Sequence, residues 1–176
     1  TYTIKSGEKF KTLKTSQEIW DFLITKKANR NDLLINVGGG LITDIGGFVA
    51  STYKRGIQFI NIPTSLLGMI DASIGGKTGV NFNGIKNQIG LFNNPEIILC
   101  DPYFLKTLAK DEFLSGLAEV LKHGLIHSRE HWDYCTMDVS VNVIRPVAME
   151  DPGFEEYRPQ ALLSWDIFFI NAGQAL

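Results

Sequence analysis

Cysteine is scarce in this chain of 176 residues, which contains only Cys100 and Cys135. Two cysteines so far apart do not build a disulfide framework or a cysteine-based zinc site, so we expect a reducing, cytoplasmic compartment. Long apolar runs are also missing, because no stretch approaches the roughly 18 residues that a membrane-spanning helix needs. Residues 1–6 do not have the pattern of a signal peptide. We therefore predict no membrane partner.

An excess of basic charge is missing as well. The chain has 17 lysines and arginines against 19 aspartates and glutamates, a formal net charge of −2 at pH 7. Dedicated nucleic-acid binders usually carry a clear basic excess, so we predict no nucleic-acid partner. What the chain does have is 44% hydrophobic residues, which is typical of a globular protein. Its length suits one domain with a core, or a piece of a larger protein.

Short apolar runs alternate with helical patterns along the first 126 residues. Strands are predicted at 33–37, 57–62 and 96–100, and helices at 16–29, 41–53 and 111–126. Thr15 or Ser16 is expected to cap the first helix, and the last helix is expected to end at Gly124. Strands that alternate with helices indicate an α/β fold with a mostly parallel sheet and flanking helices. The tail, including the apolar run 165–170, receives no role from its pattern.

Residues 71–87 are the most informative stretch. One carboxylate, Asp71, and two lysines, Lys77 and Lys86, lie among glycines and small polar residues. Lysine supplies positive charge, and glycine lets backbone N–H groups approach phosphate oxygens. The stretch predicts a pocket for an anionic, polyhydroxylated ligand. The alternative is a glycine-rich surface loop with solvated lysines.

A glycine turn, Gly38 to Gly40, separates the first predicted strand from the second predicted helix. The N-terminus of such a helix offers free N–H groups and a partial positive charge to a pyrophosphate, although the motif is not the usual G-x-G-x-x-G. Asp44 would repel a phosphate, so it is predicted to accept from a sugar hydroxyl or to cap a helix. The alternative is a turn that only packs a helix on a strand.

Glu119, Lys122 and His123 share one face of the last predicted helix. Glu119 is a candidate metal ligand and Lys122 a candidate substrate contact, whereas the alternative is a solvated ion pair. Glu119 and His123 alone are an incomplete set, because catalytic zinc usually has three protein ligands. A site formed by His123 and His127 is disfavoured by the expected helix end. Elsewhere, Arg55 is either a surface charge or a clamp for phosphate or carboxylate.

In order and spacing, these motifs resemble the 3-dehydroquinate synthase family from about Ser6 to Ser128. The resemblance is carried by Gly-Glu-Lys, Gly-Gly-Gly-x-x-x-Asp, Tyr-x-Arg-Gly-Ile, Pro-Thr-Ser-Leu-Leu, Asp-x-Ser-x-Gly-Gly-Lys-Thr, Gly-x-Lys-Asn, Leu-x-Thr-Leu and Gly-Leu-Ala-Glu-Val-x-Lys. The chain departs at Ser65, where the family usually has Thr, and at Ala72, where it usually has Ser. The resemblance implies a Rossmann-like nucleotide-binding domain followed by the start of a helical domain.

The resemblance also implies site residues. The substrate-side positions are Arg55, Asp71, Lys77, Asn87 and Lys122, and Glu119 matches a ligand of a divalent metal, zinc or cobalt. The family's other two metal ligands are histidines in a later helical domain, and one of them lies in an Asn-x-Gly-His-Thr motif that this chain lacks. The positions that match NAD-binding residues of the family are Ser6, Gly7, Glu8, Lys9, Phe10, Lys11, Gly40, Leu41, Ile42, Thr43, Asp44, Thr64, Ser65, Lys77, Lys86, Phe104, Leu105, Lys106 and Thr107.

The implied activity is 3-dehydroquinate synthase, which converts a seven-carbon sugar acid phosphate to 3-dehydroquinate and phosphate. The family reaction combines transient oxidation by NAD, phosphate elimination, reduction and aldol cyclisation, and the resemblance alone implies a homodimer. The implied domains are an NAD-binding part, 1–108, the first helix of a metal and substrate domain, 109–128, and an unassigned tail, 129–176. The chain as written is expected to be inactive.

Three alternatives stay open. Another sugar phosphate cyclase would use the same cofactor chemistry on a different sugar phosphate. A metal- and NAD-dependent polyol dehydrogenase would produce net NADH instead of phosphate. A non-catalytic nucleotide-binding module would do neither.

Overall fold

A five-stranded parallel sheet is the centre of the molecule, of which the computed structural model describes residues 1–136 and 167–173. Its strands are β1 (Tyr2–Lys5), β2 (Leu33–Gly38), β3 (Gln58–Pro63), β6 (Ile97–Ile98) and β7 (Ile167–Gly173). They lie in the order β1-β7-β2-β3-β6, and every neighbouring pair is parallel. Two further strands, β4 (Lys77–Phe82) and β5 (Ile85–Phe92), form a separate antiparallel hairpin. The predicted α/β fold with a mostly parallel sheet is confirmed.

Within residues 1–136 and 167–173, four helices accompany the sheet: α1 (Leu13–Thr25), α2 (Gly40–Thr52), α3 (Lys110–His127) and α4 (Arg129–Thr136). Short helical segments cover Glu8–Phe10, Tyr53–Arg55, Gly68–Ala72 and Pro102–Thr107. In the part of the chain that the structure describes, none of the helices combines the length and the apolar character needed to cross a membrane.

Several predicted boundaries were wrong. Helix α1 begins earlier than residue 16, because the Thr12 side chain accepts a hydrogen bond from the Thr15 backbone N–H and caps the helix. Helix α3 does not end at Gly124 but passes through it to His127. Gly124 is buried, and a Cβ there would lie 3.2 Å from the Trp132 Cα atom, so this glycine serves the packing of α4 on α3.

The core lies between the sheet and α1 and α2. Its buried side chains include Ile19, Leu23, Leu34, Ile45 and Phe59. Parallel strands that are covered by other elements read as apolar runs, which explains why β2 and β3 are predictable from sequence.

Asn36 and Asn61 are an exception within that core. Both are buried, they face each other across β2 and β3, and the Asn36 Nδ2 donates to the Asn61 Oδ1 at 2.9 Å. Helix α2 comes close enough at Gly46 that an added Cβ would lie 2.0 Å from the Asn36 Oδ1. Gly46 therefore makes room for this polar pair.

Strand β7 has an unexpected place, since it pairs with both β1 and β2 inside the sheet. The segment that receives no role in the sequence thus supplies an interior strand, with Ile170 buried in the core. The division into 1–108, 109–128 and 129–176 stays a prediction, and residues 137–166 and 174–176 of the tail lie outside the described residues. Strand β6 is also shorter than the predicted 96–100.

The β4–β5 hairpin is absent from the predicted elements, although 71–87 carries its signal. Asn83 and Gly84 form the turn with φ angles of 49° and 78°, and Asn-Gly is the strongest short-range hairpin signal because both residues tolerate positive φ. Gly79 and Gly90 face each other, and a Cβ on Gly90 would lie 2.1 Å from the Thr78 carbonyl oxygen. These glycines let the two backbones approach closely.

Candidate functional site

The carboxyl ends of β2 and β3 define one edge of the sheet, where ligands of open α/β sheets bind. Gly38 ends β2, and its carbonyl oxygen accepts from the Thr64 N–H at 2.9 Å, just after β3. Gly39 is the N-cap of α2, and a Cβ there would lie 3.1 Å from the Ser65 Oγ. The structure therefore brings the predicted glycine turn and the Thr64–Ser65 pair side by side. Ile42 and Thr43 are buried, and their backbone N–H groups donate to the Gly39 carbonyl oxygen.

A main cleft of about 480 Å³ lies between this edge and the hairpin. It brings together four predicted site residues from three parts of the chain, Asp44, Asp71, Lys77 and Asn87. The full lining is Asp44, Asp71, Ala72, Gly75, Lys77, Thr78, Gly79, Asn87, Gln88, Gly90, Leu91 and Phe92. Most of the lining that is missing from the predicted residues belongs to the hairpin, and the Asn83-Gly84 turn is the signal that could have revealed it.

Lys11 connects the walls of the main cleft. Its side chain is 5% exposed, and its ammonium group pairs with the Asp44 carboxylate and donates to the Asn87 Oδ1. A buried lysine needs such partners because an unpaired charge in a protein interior is costly. The contact joins the N-terminal loop, helix α2 and strand β5. Lys11 thus acts within the protein itself, besides its predicted role at the cofactor.

Burial raises the pKa of Asp44 above the usual range of an aspartate. The positive charge of Lys11 and its hydrogen bond oppose this shift, whereas the negative charges of Glu8 and Asp71 add to it. The desolvation of the carboxylate outweighs the ion pair. Asp44 therefore takes up a proton at a higher pH than an exposed aspartate does.

Three side chains that could together hold a metal ion border the main cleft. Ligand atoms of Asp71, Glu119 and His123 all lie within 4.8 Å of one another, and the His123 Nε2 is 3.7 Å from the Glu119 Oε1. Lys122 also pairs with the Glu119 carboxylate. The sequence spacing offers Glu119 and His123 alone, and Asp71 joins them only through the fold. Asp71 belongs to both the main cleft and this group.

Helix α3 reaches this position through a close contact at Gly116. A Cβ on Gly116 would lie 2.6 Å from the Leu66 Cβ and 2.7 Å from the Leu67 backbone nitrogen. The segment 66–67 follows Ser65 and leads into the turn Gly68–Ala72, which contains Asp71. The same short segment therefore supports the cleft on one side and the helix that carries Glu119 on the other.

A second cleft of about 450 Å³ lies between the N-terminal loop and the hairpin turn. It gathers three predicted cofactor residues, Glu8, Lys9 and Lys86. Its lining is Glu8, Lys9, Thr12, Leu13, Lys14, Asn81, Phe82, Asn83, Gly84 and Lys86. The predicted cofactor residues are thus distributed over two clefts that share the hairpin.

Some predicted residues are not brought to either cleft within the described part of the chain. Arg55 is exposed, has a φ of 71° and precedes β3, so it lies at the end of that strand opposite to the site. Ser6, Gly7 and Phe10 belong to the N-terminal loop without lining a cleft. Lys11, Glu119 and Lys122, whose contacts are given above, do not line a cleft either. The remaining ones are Thr64 and Ser65, Gly40, Leu41, Ile42 and Thr43 beside the glycine turn, and Phe104, Leu105, Lys106 and Thr107 in the turn after β6. Their roles stay predictions.

Residues 1–115 match the family description "3-dehydroquinate synthase N-terminal". Over 129 residues the chain is 50% identical to the 3-dehydroquinate synthase of Parabacteroides distasonis and 53% identical to that of Clostridium tetani. Each match covers 73% of this chain, but 36% and 35% of those proteins. The chain therefore spans about a third of the length of the curated relatives that it matches.

Solved structures give the same picture. The 2-epi-5-epi-valiolone synthase ValA from Streptomyces hygroscopicus subsp. jinggangensis, solved with NAD⁺ and Zn²⁺ bound, has a TM-score of 0.70 and 41% identity, covering 72% of this chain and 36% of that one. A 2-deoxy-scyllo-inosose synthase complexed with carbaglucose-6-phosphate, NAD⁺ and Co²⁺ has a TM-score of 0.66 and 32% identity, covering 69% and 33%. Maleylacetate reductase from Agrobacterium tumefaciens, 20% identical with a TM-score of 0.54, shares the fold alone.

The family description extends over more than half of the chain, and the relatives named after the same enzyme are about half identical to it. Of the ordered motifs that carry the resemblance, all but Gly-Leu-Ala-Glu-Val-x-Lys at 116–122 lie within residues 1–115. The chain belongs to the 3-dehydroquinate synthase family and matches its N-terminal part.

Proposed function

We propose that the protein acts as a 3-dehydroquinate synthase, and that the described residues form its NAD site and one side of its active site. The observation that carries the proposal is the position of Asp71. Its side chain lines the main cleft with Asp44, Lys77 and Asn87 and also lies within 4.8 Å of Glu119 and His123. A cofactor cleft and a candidate metal group thus meet at one residue.

The glycine turn fits a dinucleotide. A side chain at Gly39 would crowd Ser65, so glycine keeps the N-terminus of α2 open to a pyrophosphate. Asp44 would accept a hydrogen bond from a ribose hydroxyl, and Lys77 and Lys86 would balance phosphate charge. When bound, NAD supplies reversible hydride transfer. The solved relatives ValA and 2-deoxy-scyllo-inosose synthase, which hold NAD⁺, support this assignment.

The group at α3 fits a divalent metal such as zinc or cobalt. Carboxylate oxygen and imidazole nitrogen are suitable donors for zinc, and we assign Glu119 as the ligand from this part of the protein. When bound, the metal supplies Lewis-acid polarisation of substrate oxygens. Asp71 and His123 lie next to Glu119 and would orient it or share its task. ValA with Zn²⁺ and 2-deoxy-scyllo-inosose synthase with Co²⁺ support a metal at this site.

The remaining polar residues suit a sugar acid phosphate. Lys77 and Lys122 would neutralise its phosphate and carboxylate groups, and Asn87 would hold a hydroxyl group. Asp71 would orient hydroxyl groups close to the candidate metal group. Arg55 lies at the other end of β3 and keeps its role as a substrate contact only as a proposal from the resemblance.

The alternatives separate on what the full-length protein produces. We expect it to release phosphate from the seven-carbon substrate 3-deoxy-D-arabino-heptulosonate 7-phosphate with no net NADH. Net NADH in proportion to product would support a polyol dehydrogenase. Phosphate release from a different sugar phosphate alone would support another cyclase, and NAD binding without turnover would support a nucleotide-binding module.

The assembly and the compartment belong to the same proposal. We propose a cytoplasmic homodimer, supported by the family membership. Sedimentation of the full-length protein at micromolar concentration distinguishes a dimer from a monomer. We also propose that the 176-residue chain alone is inactive, because it lacks the histidine motif that the family uses for the metal.

A further inference from the structure

We propose that Asn81 is a positioning residue that ties the cofactor loop to the substrate-side residue Asn87. Asn81 lies in β4 and has no assigned role, but it is hydrogen-bonded to Glu8 and to Asn87, which both have one. The inference rests on the proposed function, since it concerns how the proposed NAD-binding loop and the proposed substrate contact are held in position relative to each other.

Asn81 uses both ends of its side-chain amide. Its Nδ2 donates to the Glu8 Oε1 at 2.8 Å, and its Oδ1 accepts from the Asn87 backbone N–H at 2.9 Å. Its backbone N–H also donates to the Lys11 carbonyl oxygen at 2.8 Å. The chemistry fixes the amide orientation, because a backbone N–H needs the oxygen and a carboxylate needs the nitrogen. One side chain therefore joins Glu8 to Asn87.

The local backbone explains why such a tie is needed. Asn87 has a φ of 52°, a left-handed conformation that asparagine tolerates better than most residues but that is still uncommon. The pairing of β4 with β5 shifts register between Val80 and Phe82, so Asn81 falls at an irregularity of the ladder. Irregularities of this kind re-aim side chains near functional sites. The Asn81 Oδ1 gives the Asn87 N–H a partner at this point.

The same network reaches the main cleft through Lys11. Lys11 donates to the Asn87 side chain and pairs with Asp44. Asn87 is thus held at its backbone by Asn81 and at its side chain by Lys11, and both holders connect to the N-terminal loop. A shift of that loop would move Asn87, which lines the main cleft.

Two substitutions separate the two bonds of Asn81 in the full-length protein. Asn81→Asp keeps the acceptor for the Asn87 N–H but places a like charge against Glu8. We expect NAD to bind about tenfold more weakly, with the KM of the sugar phosphate within about twofold of the unmodified value. Asn81→Leu removes both bonds at similar volume, and we expect it to weaken NAD binding and to raise that KM about tenfold.

The decisive comparison repeats Asn81→Asp in a Glu8→Gln background. A glutamine at position 8 can donate to the new carboxylate, so we expect the loss of NAD affinity caused by Asn81→Asp to shrink to about twofold. Because each loss is measured against its own background, the result does not depend on any direct contact between Glu8 and NAD. The matched control is Asn93→Asp, which changes a hairpin bond to Ser51 of 2.8 Å and should leave both constants within about twofold.

The outcomes are distinct. Equal losses of NAD affinity in both backgrounds, or an equal effect of Asn93→Asp, would overturn the positioning role. If Asn81→Asp fails to fold, Asn81 is a structural residue and the proposal is wrong, whether or not the double variant folds. An unmodified protein that neither binds NAD nor releases phosphate would refute the proposed function, and the positioning role falls with it.

Discussion

Lys11 and Asp44 form a largely buried ion pair that is also part of the proposed NAD site. The lysine ammonium group is almost fully withdrawn from water, and the carboxylate is about one-fifth exposed. Removing one member of such a pair leaves the other charge buried without compensation. The raised pKa of Asp44 indicates that the protein has not fully compensated the burial even with Lys11 present. Acidification therefore protonates the Asp44 carboxylate earlier than it protonates an exposed aspartate.

We predict that acidification weakens NAD binding. The loss should begin at a higher pH than the protonation of an ordinary, exposed aspartate would produce. Because the folded-state pKa of Asp44 is raised, lowering the pH through that range protonates Asp44 and adds to folding stability. The same proton removes the carboxylate acceptor proposed for the ribose, at a cost of about tenfold in affinity. Calorimetric titration of NAD across pH measures the effect. Asp44→Asn should bind weakly at every pH, and a variant that kept the acid dependence would assign the titration to another group.

Gly39 provides a second test of the proposed NAD site. Gly39→Val would place a branched side chain beside Ser65, where a Cβ alone would lie 3.1 Å from its Oγ. We expect NAD affinity to fall about 100-fold or more, since the pyrophosphate loses its backbone donors, while the circular dichroism spectrum stays that of a folded protein. Gly39→Ala should give an intermediate loss. Unchanged affinity in Gly39→Val would mean that the turn only packs α2 on β2.

The chemistry of single residues was predictable, but their contacts were not. Asp44, Asp71, Lys77 and Asn87 stand out by residue type and motif, and the fold places all four around one cleft. The bonds of Lys11 to Asp44 and Asn87 join residues that are distant in sequence. No spacing rule for a helix or a strand relates positions so far apart.

The position of helix α3 depends on one glycine, Gly116. Gly116 faces the segment 66–67 at a distance that leaves no space for a Cβ. Since Asp71 follows that segment and Glu119 follows Gly116 by less than one helical turn, the contact sets how the two carboxylates approach. The position of the candidate metal group is therefore a property of helix packing.

We predict that Gly116→Ala weakens metal binding without changing any ligand. The added methyl group would collide with the Leu66 side chain and the Leu67 backbone nitrogen, and overpacking of this kind costs about 1–3 kcal/mol. We expect a shifted α3 and roughly tenfold weaker zinc binding by the full-length protein, measured with a competing chelator. Ser115→Ala, at an exposed neighbouring position on the same helix, is the control. Equal zinc affinity in both variants would contradict this role of Gly116.

Several elements with an apolar pattern were predicted, whereas the hairpin was not, although Asn83-Gly84 is a local signal for it. Strands β2 and β3 and helices α2 and α3 follow from their apolar patterns and the adjacent glycine turn. The hairpin was overlooked because its glycines and lysines indicate a ligand loop equally well, and only Asn83-Gly84 distinguishes the two. The position of β7 between β1 and β2 could not be predicted, since strand order depends on contacts between distant segments.

Taken as a whole, the chain corresponds to one side of the active site that we propose. It spans about a third of the length of its curated relatives, and the apolar side chains of Leu125 and Ile126 on α3 are 70% and 74% exposed. The candidate metal group of Asp71, Glu119 and His123 is also only partly enclosed by the protein. Asp71 is exposed, and the Glu119 carboxylate already pairs with Lys122.

We predict that the 176-residue polypeptide binds zinc weakly and that full-length protein binds it tightly. Glu119→Gln in the full-length protein should weaken zinc binding and sharply reduce phosphate release. Asp71 and His123 give the short chain three donors with Glu119, but zinc would have to displace Lys122 and order an exposed aspartate. Those costs oppose binding until further ligands are present. Metal content after dialysis of all three proteins provides the measurement. Stoichiometric zinc on the short chain would show that Asp71, Glu119 and His123 form a complete site, and an active Glu119→Gln protein with normal zinc content would refute the ligand assignment.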